Sequence, residues 1–113
     1  MAGLRFATLG SGSRGNATVV RCGRTTVLMD CGFAVNETLR RLAVLGLTGE
    51  DLCAIVVTHE HGDHMGGVAR LARRFKLPVW LTAGTYRGAG TPKLPEVRLF
   101  NPHEAFVIGD LAI

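Results

Sequence analysis

Alternating and periodic apolar positions divide the chain into short elements. Leu4 to Leu9 predicts a first strand, and residues 10–16, Gly-Ser-Gly-Ser-Arg-Gly-Asn, are too rich in glycine and serine for anything but a loop. Ala17 to Cys22 and Thr25 to Asp30 are rich in β-branched residues and are joined by Gly23-Arg24, which predicts a hairpin with a two-residue turn. Asn36 is a suitable N-cap for a helix whose apolar face carries Leu39, Leu42 and Ala43 and which Gly46 stops. Ala54 to Thr58 is a short apolar run of the kind found in strands covered on both faces. A second helix follows the histidine-rich stretch, with Val68, Leu71, Ala72 and Phe75 on one face and the arginines largely opposite. Pro78 to Thr82 predicts a strand and Ala83 to Pro95 a loop punctuated by glycine and proline. Val97 to Phe100 and Ala105 to Ile108 predict further strands, with a turn at Gly109-Asp110.

Three strands, a helix, a strand, a helix and then more strands imply a mixed α/β sheet with helices on one face. A chain of 113 residues supports one domain, residues 1–113. The last triplet, Leu111-Ala112-Ile113, is apolar and looks like the opening of a strand, so the domain is expected to be truncated.

With 47% hydrophobic and 19% charged residues, the composition excludes a disordered or fibrous chain. No run approaches the ~20 apolar residues of a membrane span, and the N-terminus lacks a secretory core, so no membrane association and a cytoplasmic location are expected. Cys22, Cys31 and Cys53 are odd in number and scattered, which predicts buried free thiols. The net charge of +4 comes mostly from arginines, among them Arg40, Arg41, Arg70, Arg73 and Arg74. It is compatible with a phosphate-bearing partner, although solvated helix faces are the simpler account. Nothing implies an obligate protein partner.

The chemistry is concentrated in Thr58-His59-Glu60-His61-Gly62-Asp63-His64. A divalent ion such as zinc needs imidazole nitrogens and carboxylate oxygens converging at about 2.0–2.2 Å. His59 and His61 are two apart at a strand end, which lets their side chains point the same way, whereas Asp63 and His64 stand at the start of the second helix and approach from another direction. Glu60 then points away. Gly62, Gly66 and Gly67 keep the turn narrow. His103 stands alone in a polar turn and is a poor ligand candidate.

Thr-His-X-His-X-Asp-His after an apolar strand, with an aspartate ending an earlier strand, resembles the metallo-β-lactamase superfamily, and the likeness runs along essentially the whole chain. The resemblance implies an αββα sandwich, of which this chain supplies the N-terminal half. It also implies two divalent ions, zinc first and manganese as the alternative. His59 and His61 would bind the first ion, and Asp63 and His64 the second, with Asp63 also orienting the attacking water. Asp30 would support the ligands by hydrogen bonding. The remaining ligands of the family come from segments farther along the chain than those securely recognisable here.

Two patterns mislead. Gly10 to Gly15 fits G-x-G-x-x-G after a strand, yet the β-branched run after it cannot open the helix that a dinucleotide site requires. Asn16-Ala17-Thr18 fits a glycosylation acceptor without a secretory signal. The same opening, Phe-Ala-Thr-Leu-Gly-Ser-Gly-Ser-Arg-Gly-Asn, is similar to a bacterial branch of the superfamily related to a double-stranded DNA exonuclease linked to cell-wall regulation. In that branch Ser11, Ser13 and Asn16 would border the metal site and contact phosphate; a tight polar connection is the plainer alternative. The leading expectation is a two-metal phosphodiesterase acting on DNA. Hydrolysis of a thioester or small ester is the alternative, and an inactive fragment or weak metal-binding module is the third.

Overall fold

The computed structural model describes residues 4–10, 17–31, 33–57, 65–88, 94–101, 107–109 and 111–112. Six strands form one sheet in chain order: β1 (Leu4–Gly10), β2 (Ala17–Cys22), β3 (Thr25–Met29), β4 (Ala54–Val56), β5 (Pro78–Leu81) and β6 (Glu96–Leu99). β1, β2 and β3 are antiparallel neighbours, and β3, β4, β5 and β6 are parallel. The change of direction follows from the connections. A two-residue turn joins β2 to β3, whereas helices α1 (Val35–Val44), α2 (Met65–Phe75) and α3 (Ala83–Gly88) carry the later crossovers.

The burial of each strand matches its sequence. Val27, Leu28, Ala54, Ile55 and Val56 are essentially inaccessible because β3 and β4 lie in the middle of the sheet and are covered on both faces. On one face Leu28, Ile55, Val79 and Leu81 pack with Leu42 of α1 and with Val68, Leu71 and Ala72 of α2. On the other, Val27, Ala54 and Val56 pack against Ile108 of a small hairpin, β7 (Val107–Ile108) with β8 (Leu111–Ala112). The predicted mixed sheet with helices on one face is therefore observed. The described residues supply one helical layer, one six-stranded sheet and a two-stranded piece against its second face.

Several local expectations change. α1 starts at Val35 with Ala34 at the cap position and no side-chain cap, so Asn36 lies inside the first turn. Its C-terminus matches: Gly46 at φ +76 donates to the Ala43 carbonyl, and Leu47 donates to that of Leu42. Both leucines are buried, which completes a Schellman motif. Ala83 to Gly88, expected as loop, is a short helix in which the Thr85 N–H donates to Thr82 Oγ1 at 3.1 Å. Two glycines in six positions concealed it. Thr48 and Asp51 also frame an unexpected single turn of 3-10 helix at Gly49–Asp51. Of the three cysteines only Cys31 is buried; Cys22 is half-buried and Cys53 exposed.

α2 ends like α1, except that Lys76 occupies the left-handed position, at φ +55, while Leu77 donates to the Ala72 carbonyl at 2.9 Å. A side chain there strains the backbone by about 1–2 kcal/mol, partly offset by the greater chain entropy that glycine loses on folding. Lys76→Gly is expected to raise the stability by about 0.5–1 kcal/mol, read from the urea midpoint at constant slope. A lowered midpoint would contradict this account of the α2 terminus.

Candidate metal centre

Strand direction determines where the chemistry-bearing segments emerge. β1 is antiparallel to β2 and β2 to β3, so β1 runs with β3, β4, β5 and β6. The C-terminal ends of five strands therefore meet at one edge of the sheet, where open α/β sheets generally bind ligands. From that edge the chain leaves β1 at Gly10 toward Ser11, Ser13 and Asn16, and leaves β3 at Asp30. β4 is left through Val57 toward His59, His61, Asp63 and His64, and β6 toward His103. Ser11, Ser13, Asn16, His59, Glu60, His61, Asp63, His64 and His103 lie outside the described residues. Among the described residues no three His, Cys, Asp or Glu side chains cluster so as to hold a metal.

Asp30 is described, and it does not belong to the strand as expected: β3 ends at Met29, and Asp30 turns away at φ +55, a conformation aspartate tolerates better than most residues. Its N–H donates to the Val56 carbonyl at 2.8 Å, and the Val57 N–H to that of Trp80 at 2.8 Å. Asp30 is thereby tied to β4 two residues before Thr58.

Cys31, next to Asp30, is buried, with Sγ 3.4 Å from Thr38 Oγ1. Burial pushes its thiol above the usual range, against the opposing effects of Thr38 and the Phe33 carbonyl. It therefore stays protonated near neutral pH, in a state that neither attacks nor binds metal readily.

The segment after Asp30 also meets the first turn of α2. A Cβ on Gly67 would lie 2.6 Å from the Phe33 carbonyl oxygen, so the helix approaches the 31–33 backbone closely only because residue 67 is glycine. Both sides of the 58–64 segment are thus tied to residues 30–33, through Val56 before it and Gly67 after it.

One further side chain joins these pieces. The β1–β2 register shifts between Thr8 and Gly10, and the Leu9 carbonyl accepts a hydrogen bond from Arg41 Nη1 at 2.5 Å. The Arg41 guanidinium also lies 4.2 Å from the centroid of the Phe33 ring and donates through Nε to Glu37 Oε1 at 2.9 Å. Arg41 thereby joins the root of the Gly-Ser loop to the segment after Asp30. The sequence marks Arg41 only as one of several helix arginines, because the partners that single it out are 32 and 8 residues away.

Comparison with known proteins gives this arrangement a lineage. Residues 10–110 match the family model of the metallo-β-lactamase superfamily. The chain belongs to that superfamily. Among curated relatives, the exodeoxyribonuclease WalJ of Streptococcus pneumoniae (strain D39) is 33% identical over 91 residues, covering 80% of this chain and 34% of the relative. The exodeoxyribonuclease YycJ of Bacillus anthracis is 31% identical over 115 residues, covering 98% of this chain and 44% of the relative. A solved B3 metallo-β-lactamase described as having an active-site glutamic acid superposes with a TM-score of 0.75 at 23% identity, over 95% of this chain and 47% of that one. The chain thus has the metallo-β-lactamase fold and spans less than half the length of each of these proteins. No described helix is long and apolar enough to cross a membrane.

Proposed function

We propose that this chain carries the metal-binding part of a two-metal phosphodiesterase that hydrolyses DNA. The observation that carries the proposal is the common edge: the Gly-Ser loop, Asp30 and the 58–64 segment all connect to strand ends there. The identity of 31–33% to two exodeoxyribonucleases over most of this chain supports DNA as the substrate. Three imidazoles and a carboxylate suit zinc, with manganese as the alternative. His59 and His61 would hold one ion, and Asp63 and His64 the other.

When bound, the ions supply Lewis acidity that stabilises charge on the phosphoryl oxygens and activates water near neutral pH. The chain's own groups do the rest. Asp63 orients the attacking water, and Asp30 hydrogen-bonds a ligand and fixes its tautomer and direction. Ser11, Ser13 and Asn16 donate to non-bridging phosphate oxygens. Water adds across one P–O bond, leaving a phosphomonoester on one product and a hydroxyl on the other.

The test incubates the protein with end-labelled duplex DNA, and separately with an acyl-glutathione thioester, in zinc, manganese or EDTA. Nucleotide release that depends on metal is expected, with slower turnover of the thioester. Thioester cleavage without DNA cleavage would replace this reading with an ester hydrolase. Metal uptake without turnover of either substrate would replace it with a metal-binding module.

A further inference from the structure

Arg40 and Arg41 look from sequence like part of a solvated helix face. The structure puts them in the wall of a cleft of ≈ 310 Å³, between α1 and the end of β1, lined also by Thr8, Leu9, Val44 and Leu45. Leu9 directly precedes Gly10, where the chain leaves the sheet toward Ser11, so the cleft opens beside the root of the Gly-Ser loop.

The two guanidiniums are held differently. Arg41 is fixed on three sides, by the Leu9 carbonyl, the Glu37 carboxylate and the Phe33 ring. Arg40, with its side chain 71% exposed, forms a forked pair with Glu37 through Nε at 3.0 Å and Nη2 at 2.6 Å. One carboxylate therefore serves two guanidiniums. Their hydrogen bonds, Arg40's first, hold Glu37 down to about 2, so it remains charged at neutral pH and the pair retains one net positive charge. Beside this charge Val44 is 83% exposed and Leu45 44% exposed, giving the cleft an apolar side. A fixed cation, an exchangeable forked cation and an apolar flank together match a nucleotide unit, whose phosphate takes forked hydrogen bonds and whose sugar presents carbon.

We propose that this cleft binds a backbone phosphate and its sugar on the DNA strand flanking the scissile position. Arg40 transfers its fork from Glu37 to the phosphate, and Arg41 serves as the anchored second cation. The proposal rests on the nuclease reading and adds to it a substrate contact separate from the metal ligands.

The test is anisotropy of a labelled DNA duplex in EDTA, where metal contributes nothing, over a range of salt. Arg40→Gln is expected to weaken binding by about 3–10-fold at low salt and to reduce the slope of log affinity against log salt by about 0.9, the value of one phosphate contact. Glu37→Gln, which removes the carboxylate charge shared by the two guanidiniums while the Leu9 carbonyl and the Phe33 ring still hold Arg41, is expected to tighten binding by a similar factor. Charge-matched controls are Arg21→Gln, exposed beside the β2–β3 turn at the opposite edge of the sheet, and Glu50→Gln, exposed ahead of β4. Each control is expected to change affinity by less than about 2-fold. Equal weakening by Arg21→Gln and Arg40→Gln would show a diffuse charge effect and overturn the cleft, as would absence of DNA binding at low salt. Failure of the nuclease reading looks different: Arg40-dependent binding persists in EDTA, but no metal restores cleavage. Cleavage undiminished by Arg40→Gln at subsaturating DNA overturns the cleft alone.

Discussion

His61→Ala and Asp63→Ala are each expected to lower metal-dependent DNA cleavage by more than about 100-fold, because residues that merely support metal ligands already account for 10–100-fold. The two substitutions act on different ions in the proposed arrangement, so neither is rescued by the donors of the other. Asp63→Ala also removes the carboxylate proposed to orient the water, and its loss should fall mainly on kcat. His103→Ala provides the contrast: His103 is outside the proposed donor set, and its removal is expected to leave metal content unchanged. Cleavage and bound metal are measured together in all three variants. Undiminished cleavage in both His61→Ala and Asp63→Ala would remove the 59–64 segment from the chemistry.

Gly67→Ala is the second large effect, and its sign is diagnostic. In an ordinary helix interior, replacing glycine by alanine stabilises by about 0.5–1 kcal/mol. Here the added methyl would lie 2.6 Å from the Phe33 carbonyl oxygen, and because that atom is backbone it cannot swing aside. Either α2 or the 31–33 segment must shift, and such overpacking costs typically about 1–3 kcal/mol. The expected outcome is a lower denaturation midpoint accompanied by weaker metal affinity, since the start of α2 and the Asp30 segment separate together. A stabilised Gly67→Ala variant with full metal affinity would show that the close approach does not position the centre.

The strands were legible because their hydrophobic patterns are strong. Val27, Leu28 and Ala54 to Val56 form continuous apolar runs, and these runs are the central, doubly covered strands. α1 and α2 were legible from the spacing of Leu39 and Leu42 and of Val68, Leu71 and Phe75. α3 was not, because Gly84 and Gly88 depress helix propensity in a segment only six residues long, where the Thr82 cap compensates. The start of α1 was misplaced because Asn36 carries a stronger local capping signal than Ala34, the residue that occupies the cap.

At the site, local sequence carried the donor set and tertiary packing carried its surroundings. The spacing of His59, His61, Asp63 and His64 is visible in seven consecutive residues. The shared edge depends on strand direction, and the joining of Leu9, Phe33 and Gly67 depends on contacts across long separations. No local pattern distinguishes Arg41 from Arg70 or Arg73, although Arg41 reaches the strand-end carbonyl of Leu9 and the Phe33 ring.

In the proposed centre the 59–64 segment binds metal through imidazole and carboxylate alone, with all three cysteines outside it. X-ray absorption at the zinc edge of the metal-loaded protein measures this directly. The predicted result is a nitrogen and oxygen shell at about 2.0–2.2 Å with imidazole scattering beyond it, reduced in His61→Ala. A sulfur shell at about 2.3 Å, or an imidazole signal unchanged in His61→Ala, would contradict it.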